Sequence, residues 1–126
     1  MSKKIVSTDK APAAIGPYSQ AVIFNGIVYC SGQIALIPET MEIVKGGIEE
    51  QAEQVMKNLS EVLKAAGSDF SKVLKCTIYL QSMDDFIAVN GIYGAVFPEN
   101  PPARETVAVK TLPRNVLVEI SCIASL

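Results

Sequence analysis

No stretch of this chain limits its fold more than Asn25-Gly26. The pair separates two β-rich runs, and a two-residue type I′ turn needs positive φ at both central positions, which asparagine followed by glycine tolerates best. Such a loop sets a register in which Phe24 faces Ile27, Val22 faces Tyr29, Gln20 faces Ser31 and Tyr18 faces Gln33. Side chains alternate along a strand, so one face reads Tyr18, Gln20, Ser31 and Gln33, joined by Val22, Phe24, Ile27 and Tyr29. The other reads Ala21, Ile23, Val28, Cys30 and Ile34, a uniformly apolar set that belongs to the core.

The remaining elements follow from periodicity. Lys3 to Ser7 reads as a short first strand, after which Pro12 and Pro17 keep the chain out of helix. From Ile48 the apolar positions Ala52, Val55, Met56, Leu59, Val62, Leu63 and Ala66 repeat every 3.6 residues, and Gly67 stands where a helix ends. Lys72 to Gln81 is a strand with Leu74, Cys76, Ile78 and Leu80 on one face. Ser82 then caps a second helix carrying Phe86, Val89, Asn90 and Tyr93 and ending before Pro98. Two last strands, Ala103 to Thr111 and Val116 to Ser125, read as a second hairpin joined through Leu112-Pro113-Arg114-Asn115. For that hairpin to feed the core, Val107 and Val109 must share a face with Val118, Ile120 and Cys122, leaving Arg104, Thr106 and Ala108 beside Leu117, Glu119 and Ser121. With both helices on one side, Tyr18, Ser31, Arg104 and Glu119 share the other. Val22, Phe24, Tyr29, Tyr79, Leu117 and Ile123 project there too, and an apolar patch of that size predicts burial against further copies of the chain.

Composition narrows the chemistry. A length of 126 residues suits one domain, residues 1–126, with a single core. The absence of histidine removes the commonest general base, the commonest metal ligand and the usual partner of a nucleophilic serine or cysteine. With 11 basic and 13 acidic residues spread without runs, the surface has no positive stripe for nucleic acid. No apolar run is long enough to cross a membrane and no signal-peptide pattern opens the chain, so a cytoplasmic, membrane-free protein is expected. Cys30, Cys76 and Cys122 lie within apolar runs and behave as small buried hydrophobes; their equal spacing reads as coincidence rather than as a repeat.

Two charged residues stand out. Arg104 opens a strand after a proline-rich loop, where a guanidinium can grip a carboxylate through two parallel hydrogen bonds, although most arginines make only surface ion pairs. Glu119 lies between Val118 and Ile120, where a carboxylate must be paired or desolvated, whether for function or as a structural partner of Arg104. Tyr18, Ser31 and Gln33 can orient a ligand, and Gly32 lets a backbone amide come close to one. A nucleophilic serine would have to rely on Lys75 for activation, a poor substitute for histidine. Together these residues point to a binder of small carboxylates that needs no metal and no cofactor.

Gly16-Pro17-Tyr18-Ser19-Gln20-Ala21, Ser31-Gly32-Gln33, Ala65-Ala66-Gly67, and Pro102-Ala103-Arg104 leading to Val118-Glu119-Ile120 resemble, in order and spacing, the Rid (YjgF) family of reactive-intermediate deaminases. The resemblance implies an α+β, chorismate-mutase-like fold, a sheet of about six strands with two helices on one face, assembled as a homotrimer with clefts between subunits. Relatives of the RidA type hydrolyse enamines and imines such as 2-aminoacrylate and 2-iminobutyrate to 2-keto acids and ammonia without a cofactor or metal. On this chain the resemblance implies that Arg104 clamps the substrate carboxylate, helped by the Gly32 amide and the backbone near Thr106. Glu119 positions the attacking water, and Tyr18, Ser31 and Asn90 complete the pocket. Glu105 and Thr106 depart from the small residue and cysteine that many relatives carry after the arginine, and Glu105 should face away from Arg104. Other activities attached to the family are a regulatory or chaperone-like trimer that binds carboxylates without turnover, and a ribonuclease or translation inhibitor, for which an acidic chain without histidine is poorly suited.

Overall fold

Asn25 and Gly26 adopt φ of 52° and 74°, and the hairpin they make pairs Ala21 with Cys30, Val22 with Tyr29, Ile23 with Val28 and Phe24 with Ile27. This is the register that the turn predicts. The computed structural model describes residues 2–126, and within them β2 (Ala21–Phe24) and β3 (Ile27–Gln33) are the arms of that hairpin. β1 (Lys4–Val6), β4 (Val73–Leu80), β5 (Ala103–Ala108) and β6 (Val118–Ser125) complete one six-stranded sheet in the order β1-β2-β3-β6-β4-β5. Helices α1 (Ile48–Ala66) and α2 (Phe86–Ala95) add their buried side chains to the core on one side of it. No helix among the described residues is long and apolar enough to cross a membrane.

α1 forms where the periodicity predicts. Glu50 accepts a hydrogen bond from the Gly47 N–H at 2.8 Å, and Gly67, at φ 86°, closes the helix by donating to the Lys64 carbonyl. Its stripe buries Val55, Leu59, Val62 and Leu63 completely, each contributing about 1.5–3 kcal/mol. Two polar residues sit in the same stripe. Asn58, fully buried, donates to the carbonyls of Ile34 (3.2 Å) and Leu36 (3.0 Å), and Gln51 accepts from the Leu117 N–H at 2.9 Å. They peg to α1 the two segments that flank Glu119. Asn58→Ala, which leaves the Leu36 carbonyl without its partner while Ile34 keeps the Leu36 N–H, is expected to lower the unfolding free energy by about 1–3 kcal/mol, measured as a shift of the urea midpoint at constant slope.

The second hairpin does not form. β5 pairs parallel with β4, with α2 as the crossover, while β6 lies antiparallel between β3 and β4. Alternation shows which residues of a strand share a face, but it does not show which strand lies alongside. β6 alternates buried Val118, Ile120, Cys122 and Ala124 with half-buried residues and takes the centre, whereas β5 has little to bury and takes the edge. Parallel partners share a face, so Arg104 sides with Cys76 and Thr106 with Ile78, toward the helices. Val107, expected in the core, pairs with Tyr79 on the open face and is 44% exposed.

Two bulges shift side chains between faces. Between Cys30 and Gln33 the register with β6 slips by one residue, turning Gln33 toward Ile120 and leaving it buried. A second slip, between Val73 and Lys75, buries Val73 and exposes Leu74, against the expected alternation. Gln20, expected on the polar face of the hairpin beside Tyr18, is buried, as is Gln33, expected to orient a ligand. The Gln20 amide donates to the carbonyls of Thr8 (3.0 Å) and Pro12 (2.8 Å) and accepts from the Thr8 N–H (2.7 Å), tying down the loop that carries Tyr18. The cysteine spacing also has a structural counterpart. Cys30 pairs with Cys122, and Cys122 with Cys76, so three free, buried thiols stand in one row across adjacent strands.

Candidate active site

Glu119 lies on the open face of the sheet, paired across β6 and β4 with Tyr79. The bulge at Ser31-Gly32 brings backbone against its carboxylate: a β-carbon on Gly32 would lie 2.9 Å from the Glu119 carboxyl carbon, so any larger residue would displace the acid. Glu119 borders a cavity of about 430 Å³ that Tyr18, Ser31, Ile34, Leu36 and Pro113 also line. Burial pushes its carboxyl above the usual glutamate range, and no cation among the described residues pairs with it. Half-buried and unpaired, with a proton affinity raised by burial, it can take a proton from water. Ser31 Oγ donates to the Ser19 carbonyl at 2.6 Å and anchors the Tyr18 loop to β3. Lys75 is occupied elsewhere, 3.3 Å from Glu105, so it does not activate the serine.

Arg104 lies across the sheet from this cavity. Its partner in β4 is Cys76, three residues before the Tyr79 that pairs with Glu119, and residues three apart on a strand face opposite ways. The guanidinium donates to Asn90 Oδ1 at 2.6 Å and stands 5.0 Å from the centre of the Tyr93 ring and 5.7 Å from that of Phe86. No carboxylate among the described residues pairs with it. Arg104, Asn90, Tyr93 and Pro102 border a second, open cavity of about 480 Å³, and Thr106 follows two residues along the same face with its hydroxyl buried and unpartnered. The expected common face for Tyr18, Ser31, Arg104 and Glu119 is therefore corrected. Tyr18, Ser31, Gly32 and Glu119 meet in one half-site; Arg104 and Asn90 meet in another, with Thr106 beside them. An Arg104–Glu119 pair within one chain is excluded by the same geometry.

Glu105 faces away from Arg104, as expected. A hydrogen bond from Thr77 Oγ1 (2.8 Å) and the Lys75 ammonium hold its carboxyl below the usual range, so it is a settled surface anion. Among the described residues, no group of three or more cysteines and carboxylates is arranged to hold a metal ion. The Phe86 and Tyr93 cradle was not anticipated, although Phe86, Asn90 and Tyr93 stand four and three residues apart on α2, the spacing of a shared helix face.

Residues 8–126 match the family described as Endoribonuclease L-PSP. Over all of its length this chain is 52% identical, across 126 residues, to Reactive Intermediate Deaminase A, chloroplastic, from Arabidopsis thaliana, of which it covers 67%. The chain belongs to the Rid family. The 2-iminobutanoate/2-iminopropanoate deaminase of Mus musculus is 52% identical to this Rid protein over 122 residues, spanning 97% of this chain and 90% of the mouse protein. A Yersinia pestis crystal structure of the conserved Rid protein family, called YyfA, superposes with a TM-score of 0.97 at 46% identity, over 99% of this chain and 100% of that one. The six-stranded sheet and its two helices thus make up a Rid fold.

Proposed function

We propose that this Rid protein hydrolyses 2-imino acids such as 2-iminobutyrate, and their enamine forms such as 2-aminoacrylate, to 2-keto acids and ammonia in clefts between the protomers of a homotrimer. One observation carries the reading: an unpaired guanidinium and an unpaired, desolvated carboxylate lie on opposite faces of one sheet, where a single chain cannot bring them to one substrate. Apposed protomers can. The open face carries partly exposed Ile5, Phe24, Tyr29 and Val107, apolar surface suited to burial between copies. The names of the mouse and Arabidopsis relatives support the reaction class.

In this reading Arg104, steadied by Asn90, binds the substrate carboxylate from one protomer, helped by the backbone near its own Thr106 and by the Gly32 amide of the next protomer. Tyr18, Ser31 and Glu119 of the next protomer enclose the iminium carbon. That carbon is already electrophilic, so alignment and one weak base are enough. Water held by Glu119 gives up a proton as its oxygen bonds to C2, forming a carbinolamine. The nitrogen then takes a proton and leaves as ammonia while the C2 oxygen loses its own, giving the keto acid. An enamine enters the same path once C3 is protonated.

The test is keto-acid release from the product of threonine dehydratase, which the purified protein should accelerate. Binding of 2-ketobutyrate with no effect on rate would instead favour a non-catalytic regulatory trimer. Only ionised Glu119 accepts the proton, so kcat/KM is expected to rise with pH along a limb above the usual glutamate range and to lose that limb in Glu119→Gln. A pH–rate profile checks both, and an unchanged limb in the variant contradicts the assignment.

A further inference from the structure

We infer that Tyr93 is a positioning residue for the anion site: its ring face holds the Arg104 guanidinium in the orientation that grips a carboxylate, and its hydroxyl takes no part. The inference rests on the functional reading above, in which Arg104 binds the substrate carboxylate. Arg104 is exposed and keeps one hydrogen bond to the protein, to Asn90 Oδ1 at 2.6 Å. A long side chain with a single tether samples many rotamers, and a carboxylate must pay to collect them. The second restraint is the Tyr93 ring, whose centre lies 5.0 Å from the guanidinium carbon, within the range of a cation–π contact. Phe86 stands further off, at 5.7 Å.

The ring itself is held rigidly. Tyr93 is 4% exposed and packs against Phe97 with ring centres 4.8 Å apart, and Phe97 packs in turn against Phe70 at 5.5 Å. The platform under Arg104 is therefore part of the core. The hydroxyl is the anomaly. It is buried against the Cys76 thiol, a weak partner that meets it without sound hydrogen-bond geometry, a cost that phenylalanine at the same place would avoid. What the site requires from residue 93 is a flat π face at the base of the guanidinium.

Three variants separate this from ordinary packing. Tyr93→Leu keeps an apolar side chain but removes the face. It should weaken binding of 2-ketobutyrate in calorimetry, and raise KM for 2-iminobutyrate, by about 3- to 30-fold with kcat little changed. Tyr93→Phe should restore both constants to within about twofold of wild type and match or exceed its thermal stability. In an Arg104→Ala background, Tyr93→Leu should have no further effect on binding, because the ring then has no guanidinium to hold. Unchanged KM and affinity in a folded Tyr93→Leu protein overturns the inference, as does failure of Tyr93→Phe to restore them, which would assign the role to the hydroxyl. A fall in kcat and melting temperature with KM constant also overturns it, since that pattern is a loosened core. If wild type neither binds 2-ketobutyrate nor turns over the imine, the functional reading fails first, and the three outcomes above are not what is seen.

Discussion

Glu119→Gln is expected to slow keto-acid release by about 10²–10⁴-fold while leaving the fold intact, the range lost when a positioned general base is removed. The amide has nearly the volume of the carboxylate, so it fits the space that Gly32 leaves beside it. It can still orient water by hydrogen bonding, but it cannot take the proton that water must lose. The wild-type acid is suited to that task because burial without a cation raises its proton affinity, whereas Glu105, held by Thr77 and Lys75, has the opposite bias. The measurement is kcat under saturating imine, with thermal unfolding as a control. A rate within about tenfold of wild type would mean that water is activated by something other than this side chain.

Mixing Arg104→Ala protomers with Glu119→Gln protomers is expected to restore activity that neither homotrimer has. Each cleft in the proposed assembly draws its guanidinium from one protomer and its carboxylate from the next. In randomly assembled trimers about a quarter of the clefts then combine an intact arginine with an intact glutamate, and activity should recover to about that fraction of wild type. Co-refolded mixtures, compared with the two variants refolded separately and pooled, give the measurement. No recovery in verified mixed trimers would mean that both groups act from one chain, which the register of β4 with its two neighbours opposes. Arg104→Ala alone should depress kcat/KM through loss of a charge-assisted, two-point grip on the carboxylate.

Much of this architecture was legible in the residues because local chemistry alone dictates it. Asn25-Gly26 sets its own φ angles and the pairing of Ala21–Phe24 with Ile27–Cys30, and the stripe from Ile48 to Ala66 closes on Gly67, with no need of distant contacts. The same motifs named Arg104 and Glu119 as the two groups to watch, and both stand unpaired. Asn58 and Gln51 were visible as polar residues in an apolar stripe, but their partners, the carbonyls near Ile34 and the N–H of Leu117, lie far away in sequence.

What the residues of a single strand carry is parity: which side chains share a face. They do not carry which strand lies alongside, whether it runs parallel, or where one extra residue slips the register. Only the assembled sheet decided those three things, by placing β6 between β3 and β4, setting β5 parallel at the edge and inserting a bulge at Ser31-Gly32. The strand order follows from burying the most apolar strands at the centre, a global competition among all strands for the core. The outcome put Arg104 behind the sheet and Glu119 in front of it, and so turned one expected pocket into two half-sites.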